Sequence, residues 1–77
     1  MVRKSSRNKI IDILDRAGLT QTQLAIKSGL SVGTVNKIAN GDRPGTERTR
    51  YRIINSLSKL VGKKMNYEEI FLDSNNN

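Results

Sequence analysis

Lysine and arginine carry most of the chemistry that this 77-residue sequence can offer: fourteen of them stand against seven Asp and Glu, a net charge of +7. An excess of that size favours a polyanionic partner, although a solvated charged face would also account for it. The cations are unevenly placed. Arg3, Lys4, Arg7 and Lys9 open the chain, and Arg43, Arg48, Arg50 and Arg52 crowd one short stretch. Other chemistries lack their residues. With no His and no Cys there is no imidazole base, thiol nucleophile, zinc-finger ligand set or disulfide. Asp12, Asp15, Asp42, Glu47, Glu68, Glu69 and Asp73 are scattered over helix starts and polar faces without forming a catalytic pair, and no Gly-rich phosphate loop is present. An enzyme would have no residues to name, and no cofactor, metal or small-molecule ligand is indicated. Tyr51, Tyr67 and Phe71 are the only aromatics, and their helical spacing marks them as core rather than as a stacking surface for single-stranded nucleic acid.

Side chains that meet a partner need a frame, and the apolar periodicity here is helical throughout. Ile10, Ile13, Leu14 and Ala17 predict a first helix over about 7–17, stopped by Gly18. Thr20-Gln21-Thr22-Gln23 reads as a capping box that opens a second helix over 21–28. Gly29 then suits a left-handed C-terminal position, and Ser31 is a fresh N-cap for a third helix from Val32 to Asn40, ended by Gly41. Asp42-Arg43-Pro44-Gly45 is a loop, after which Tyr51, Ile54, Leu57, Leu60 and Val61 mark a fourth helix from Thr46 or Thr49 to Val61. Asn66, with Glu69 three residues later, caps a last short helix carrying Tyr67, Ile70 and Phe71. The expected fold is all-α, a compact bundle of about five short helices.

So short a chain does not divide. One domain over 1–77 is expected, ordered over about 7–72, with a flexible basic N-terminal tail and a polar C-terminal tail. No apolar run approaches the roughly 18 residues of a spanning helix, and no secretory signal is visible, so a cytoplasmic location is expected.

The most informative stretch is Leu19-Thr20-Gln21-Thr22-Gln23-Leu24-Ala25, then Gly29-Leu30-Ser31, then Thr34-Val35-Asn36-Lys37-Ile38-Ala39-Asn40-Gly41. Each position has a mechanical reason. Ala25 lets two helices approach, Gly29 makes the turn, Leu30 plugs it, and Leu24, Val35 and Ile38 fill the wedge. Two short helices joined by such a turn are the geometry of a helix-turn-helix. The string resembles the family of phage repressors, Cro proteins and their bacterial relatives, the lambda-repressor-like DNA-binding domains. The resemblance is strong over about 7–41 and weaker over 49–71. The chain departs from the family in a longer stretch after Gly41 and in the extra residues Gly62-Lys63-Lys64-Met65.

What the resemblance implies is sequence-specific binding of double-stranded DNA by a transcriptional regulator, expected to be a repressor, with the helix from Val32 to Asn40 in the major groove. Val32, Gly33, Asn36 and Lys37 match positions that face base edges. Val32 suits a thymine methyl, Gly33 permits close approach, and Asn36 or Lys37 can bond adenine or guanine. Gln21, Thr34, Asn40, Arg43, Arg48 and Arg50 are the expected backbone-contacting set, with Gln21 at a helix N-terminus that favours phosphate, and with a structural capping role as the alternative for Thr34 and Asn40. Helix geometry must turn some of the clustered arginines elsewhere. One short helix reads too few base pairs for useful specificity, so a homodimer, at least on DNA, over a palindromic operator is expected. Ile70, Phe71 and Leu72 are candidates for the interface, or else core residues of the last helix. An alternative is an antitoxin-like or accessory protein-interaction module with DNA binding secondary. A cationic membrane-surface helix is not indicated, because every apolar stripe is needed inside.

Overall fold

The computed structural model describes residues 8–71, which form five helices: α1 (Ile10–Ala17), α2 (Gln21–Ser28), α3 (Val32–Ala39), α4 (Glu47–Val61) and α5 (Tyr67–Ile70). Caps set nearly every boundary. The Gln23 N–H donates to Thr20 Oγ1 at 3.1 Å while Gln23 Oε1 accepts from the Thr20 N–H at 2.8 Å, so α2 opens on the expected reciprocal box. Ser31 Oγ accepts from the Thr34 N–H at 3.1 Å and opens α3. Thr46 Oγ1 accepts from the Thr49 N–H at 3.2 Å, which decides between the two expected starts of α4 in favour of the earlier one. At α5 the Asn66 N–H donates to Glu69 Oε1 at 2.8 Å. Gly29 ends α2 at φ 73°, a left-handed turn that a residue with Cβ adopts only at a cost, and it hands the chain to Ser31 within two residues.

The first helix starts later than the periodicity suggested, at Ile10 rather than near residue 7. Asn8 is the reason. Its backbone forms an isolated antiparallel bridge with Phe71, and its Oδ1 accepts from the Ile10 N–H at 3.1 Å, so Asn8 and Lys9 are held outside the helix; residue 7, the expected start, lies outside the described residues. At the other end of its range, α3 stops at Ala39 and Asn40 serves as its C-cap.

The core is one apolar cluster drawn from every helix: Ile10 and Leu14 of α1, Leu24 and Ala25 of α2, Val35, Ile38 and Ala39 of α3, Ile53, Ile54 and Leu57 of α4, Ile70 of α5, and Phe71 after it. Ala25 is buried on α2, the helix that packs against both α3 and α4, as the reading of a small residue at a close helix approach expects. Tyr51 corrects an expectation: it is 51% exposed and is not a core residue. The buried stripe of α4 runs through Ile53, Ile54 and Leu57, and Tyr51 stands off that register. Ala17 is likewise exposed, and Tyr67 is half-buried.

Two bonds close the bundle behind α3. The Lys9 N–H donates to the Ile70 carbonyl at 2.8 Å, and Asn8 Nδ2 donates to the Ile38 carbonyl at 2.8 Å. Ile38 lies in the last turn of α3, and its carbonyl also accepts from the Gly41 N–H at 3.0 Å, so Asn8 adds a second donor there and ties the start of the described chain to that end of the helix.

Candidate nucleic-acid interface

Helix α3 is two-faced. Val35, Ile38 and Ala39 are buried, whereas Val32, Gly33, Thr34, Asn36 and Lys37, with Asn40 after them, are exposed. All four residues expected to face bases therefore lie on the open side of the helix. Val32 presents an apolar side chain that is 44% exposed at the first position of the helix. A Cβ added to Gly33 would meet nothing within 4 Å, and its backbone is ordinary helix, so no internal packing demands glycine there.

Beside α3 lies an open cleft of about 390 Å³, lined by Ser31, Gly33, Thr34, Lys37, Ile38, Arg43, Gly45, Thr46 and Thr49. Its floor is the Ile38 side chain, on which the loop after α3 rests; a Cβ at Gly45 would fall 2.9 Å from Ile38 Cδ1. The Asp42 N–H donates to the Lys37 carbonyl at 2.9 Å, which folds the loop back over the end of α3 and carries Arg43 to the cleft beside Lys37. Ser31 Oγ donates to Thr34 Oγ1 at 2.9 Å and Thr46 Oγ1 to Thr49 Oγ1 at 3.0 Å, so the N-caps of α3 and α4 bring hydroxyl pairs to the same cleft. Two cations, hydroxyls and the N-terminal end of α4 form a surface suited to anionic oxygen.

On the α2 side, Gln21 is half-buried at the first position of its helix. Asn36 Nδ2 donates to Gln21 Oε1 at 3.1 Å, and Asn40 Nδ2 donates to Asn36 Oδ1 at 3.0 Å. The expected site thus separates into two groups: Gly33, Thr34, Lys37 and Arg43 on the cleft, and Gln21, Asn36 and Asn40 in a chain of amides. Arg48 is exposed on the first turn of α4. Arg50 turns inward instead. Its Nε donates to the Pro44 carbonyl at 2.7 Å, its Nη1 donates to the Tyr67 hydroxyl, and its guanidinium lies over the Phe71 ring at 5.2 Å. That side chain staples the loop after α3 to α5. Arg52 also serves the fold, since its Nη1 donates to the Ser28 carbonyl at 3.3 Å, at the end of α2.

Sequence reasoning missed Ser31, Thr46 and Thr49 as cleft residues, because reading Ser31 as an N-cap, or Thr46 or Thr49 as a helix start, says nothing of the surface they share. It also missed the amide chain. Gln21 and Asn36 are fifteen residues apart and meet only through the packing of α2 on α3.

No helix among the described residues is long and apolar enough to cross a membrane. No curated protein and no solved structure matches the chain. The helix-turn-helix family matches residues 10–48, a span that takes in α1, the α2–turn–α3 unit, the loop and the start of α4. With half of its length matched and α2 and α3 joined by the Gly29 turn, this chain belongs to the Cro/C1-type helix-turn-helix family of DNA-binding domains.

Proposed function

We propose that the chain is a sequence-specific, double-stranded-DNA-binding transcriptional repressor that acts in the cytoplasm as a single domain and places α3 in the major groove. One observation supports this most: the four candidate base-reading residues share the open face of α3, flanked by a cleft that holds Lys37, Arg43 and the N-cap hydroxyls. In this reading Asn36 and Lys37 contact base edges, Val32 lies against a thymine methyl, and Gly33 lets the duplex backbone or a base edge approach α3 closely. Gln21, Thr34, Asn40, Arg43 and Arg48 hold phosphates and fix the register. Arg50 supports them by anchoring the loop that carries Arg43.

One eight-residue helix reads too few base pairs for useful specificity, which favours a homodimer on a palindromic operator. Ile70 and Phe71 are not available for that pairing, because they are buried in the domain's own core at 0% and 1% exposure; Leu72 lies outside the described residues. Selection of binding sites from random duplexes tests the reading. The expected product is one motif with two-fold symmetry and half-sites about 34 Å apart. Recovery of no motif at low salt would contradict sequence-specific binding.

A further inference from the structure

The amide chain across the helix-turn-helix has a direction. Asn36 lies on the open face of α3, Asn40 follows one turn later as the C-cap, and Gln21 meets Asn36 from the start of α2. Asn40 Nδ2 donates to Asn36 Oδ1, and Asn36 Nδ2 donates to Gln21 Oε1. A primary amide carries two N–H donors and an oxygen with two lone pairs. Asn36 commits one donor and one lone pair to its neighbours, which leaves it one of each. Gln21 is only an acceptor within the chain, so its Nε2 hydrogens stand at the outer end. In the major groove adenine presents an acceptor at N7 and a donor at N6, whereas guanine presents two acceptors. The remaining capacity of Asn36 therefore matches adenine and falls one donor short of guanine.

We propose that Asn40 is a positioning residue for base recognition: by donating to Asn36 it sets the order of the relay, so that Asn36 offers adenine one donor and one acceptor while Gln21 offers amide hydrogens to a phosphate. The proposal rests on the reading of α3 as the base-reading helix and gives it a base. Reversing the relay would turn Gln21 Oε1 toward the phosphate, where acceptor faces anion. The phosphate at one end and Asn40 at the other thus favour the same order. Exclusion of water as the duplex docks strengthens all the bonds of the relay together.

Asn40 is exposed at φ −80°, ψ −7°, a backbone conformation that Ala adopts without strain, so Asn40→Ala is expected to fold, with circular dichroism as the check. Competition binding first locates the base pair at which Asn36→Ala loses discrimination; the wild type should prefer adenine there. Among four duplexes that differ only at that pair, Asn40→Ala should reduce the preference about three- to tenfold. The Asn36→Ala/Asn40→Ala double variant should lose no more discrimination than Asn36→Ala alone, and Asn40→Gln, which keeps an amide donor, should recover part of the preference. In the free protein, the side-chain amide resonances of both Asn36 and Gln21 should move in Asn40→Ala. Three results would overturn the relay while leaving sequence-specific binding in place: guanine at the Asn36-dependent pair, no pair that depends on Asn36, or an Asn40→Ala variant that binds every duplex more weakly with its adenine preference intact. A wild-type protein that selects no sequence would overturn the function proposed above, and the relay with it.

Discussion

Gly33 and Lys37 lie on the same open face of α3 and make opposite demands on a substitution. Nothing inside the protein occupies the space that a Gly33 side chain would enter. Gly33→Ala should therefore raise stability by up to about 1 kcal/mol through helix propensity, and at the same time weaken DNA binding if the missing Cβ is what admits the duplex. Urea denaturation and a binding titration on the same variant measure the two effects; a gain in both would remove close approach as the reason for glycine. Lys37 and Arg43 share one cleft but differ in what they are expected to touch. Lys37→Ala should cost about 1–3 kcal/mol on the selected site and much less on unrelated duplexes, because a base contact is lost. Arg43→Ala should weaken binding by a similar factor on every sequence and lower the salt slope by about one contact. Equal losses on all duplexes for both variants would mean that Lys37 holds phosphate as well.

At the scale of the element, the two halves of the bundle differ in how plainly their sequence speaks. Helices α2 and α3 are bounded by Thr20, Gly29 and Ser31, whose caps act within three or four residues, and both starts fall where the local pattern puts them. The start of α1 was not legible, because Asn8 is drawn out of the helix by Phe71, sixty-three residues away along the chain. Tyr51 does not join the core because a period of 3.6 tolerates neighbouring stripes, and only the packing of α4 shows that Ile53, rather than Tyr51, completes the buried one with Ile54 and Leu57. The candidate site was read as single residues on α3 and a cluster of arginines; which arginine serves the fold depends on Pro44, Ser28 and Tyr67, and no local signal reports that. Two substitutions test this division of labour. Arg50→Ala should destabilise the domain by about 1–2 kcal/mol, discounted for its partial exposure, and weaken binding through the loosened loop without changing base preference. Ile38→Ala should cost about 2–5 kcal/mol, since a buried side chain that supports both α3 and the Gly45 loop leaves a cavity. Thermal melts of each, with site competition below the melting temperature, are the measurements; a change of base preference in a folded Arg50→Ala protein would show that the staple orients α3 as well as the loop.

For the whole molecule, a net charge of +7 on a Cα trace of 31 × 24 × 24 Å makes electrostatics the larger part of the expected affinity and its salt dependence steep. If Gln21, Thr34, Asn40, Arg43 and Arg48 hold phosphates as proposed, the cations among them and in the rest of the chain should give a log–log salt slope of several units per dimer. Those dimensions also suit pairing on DNA: two copies set about 34 Å apart along one face of the duplex would lie close to contact once side chains are added. The proposed function turns on whether α3 reads bases. Its most direct test is competition binding of folded Asn36→Ala and Lys37→Ala proteins on the selected site and on duplexes changed one base pair at a time. Each variant should lose its discrimination at one or two defined pairs in each half-site and keep it elsewhere. Wild-type preference at every pair in both variants would contradict the claim and make α3 a packing or phosphate-contacting helix, with the base reader elsewhere on the chain.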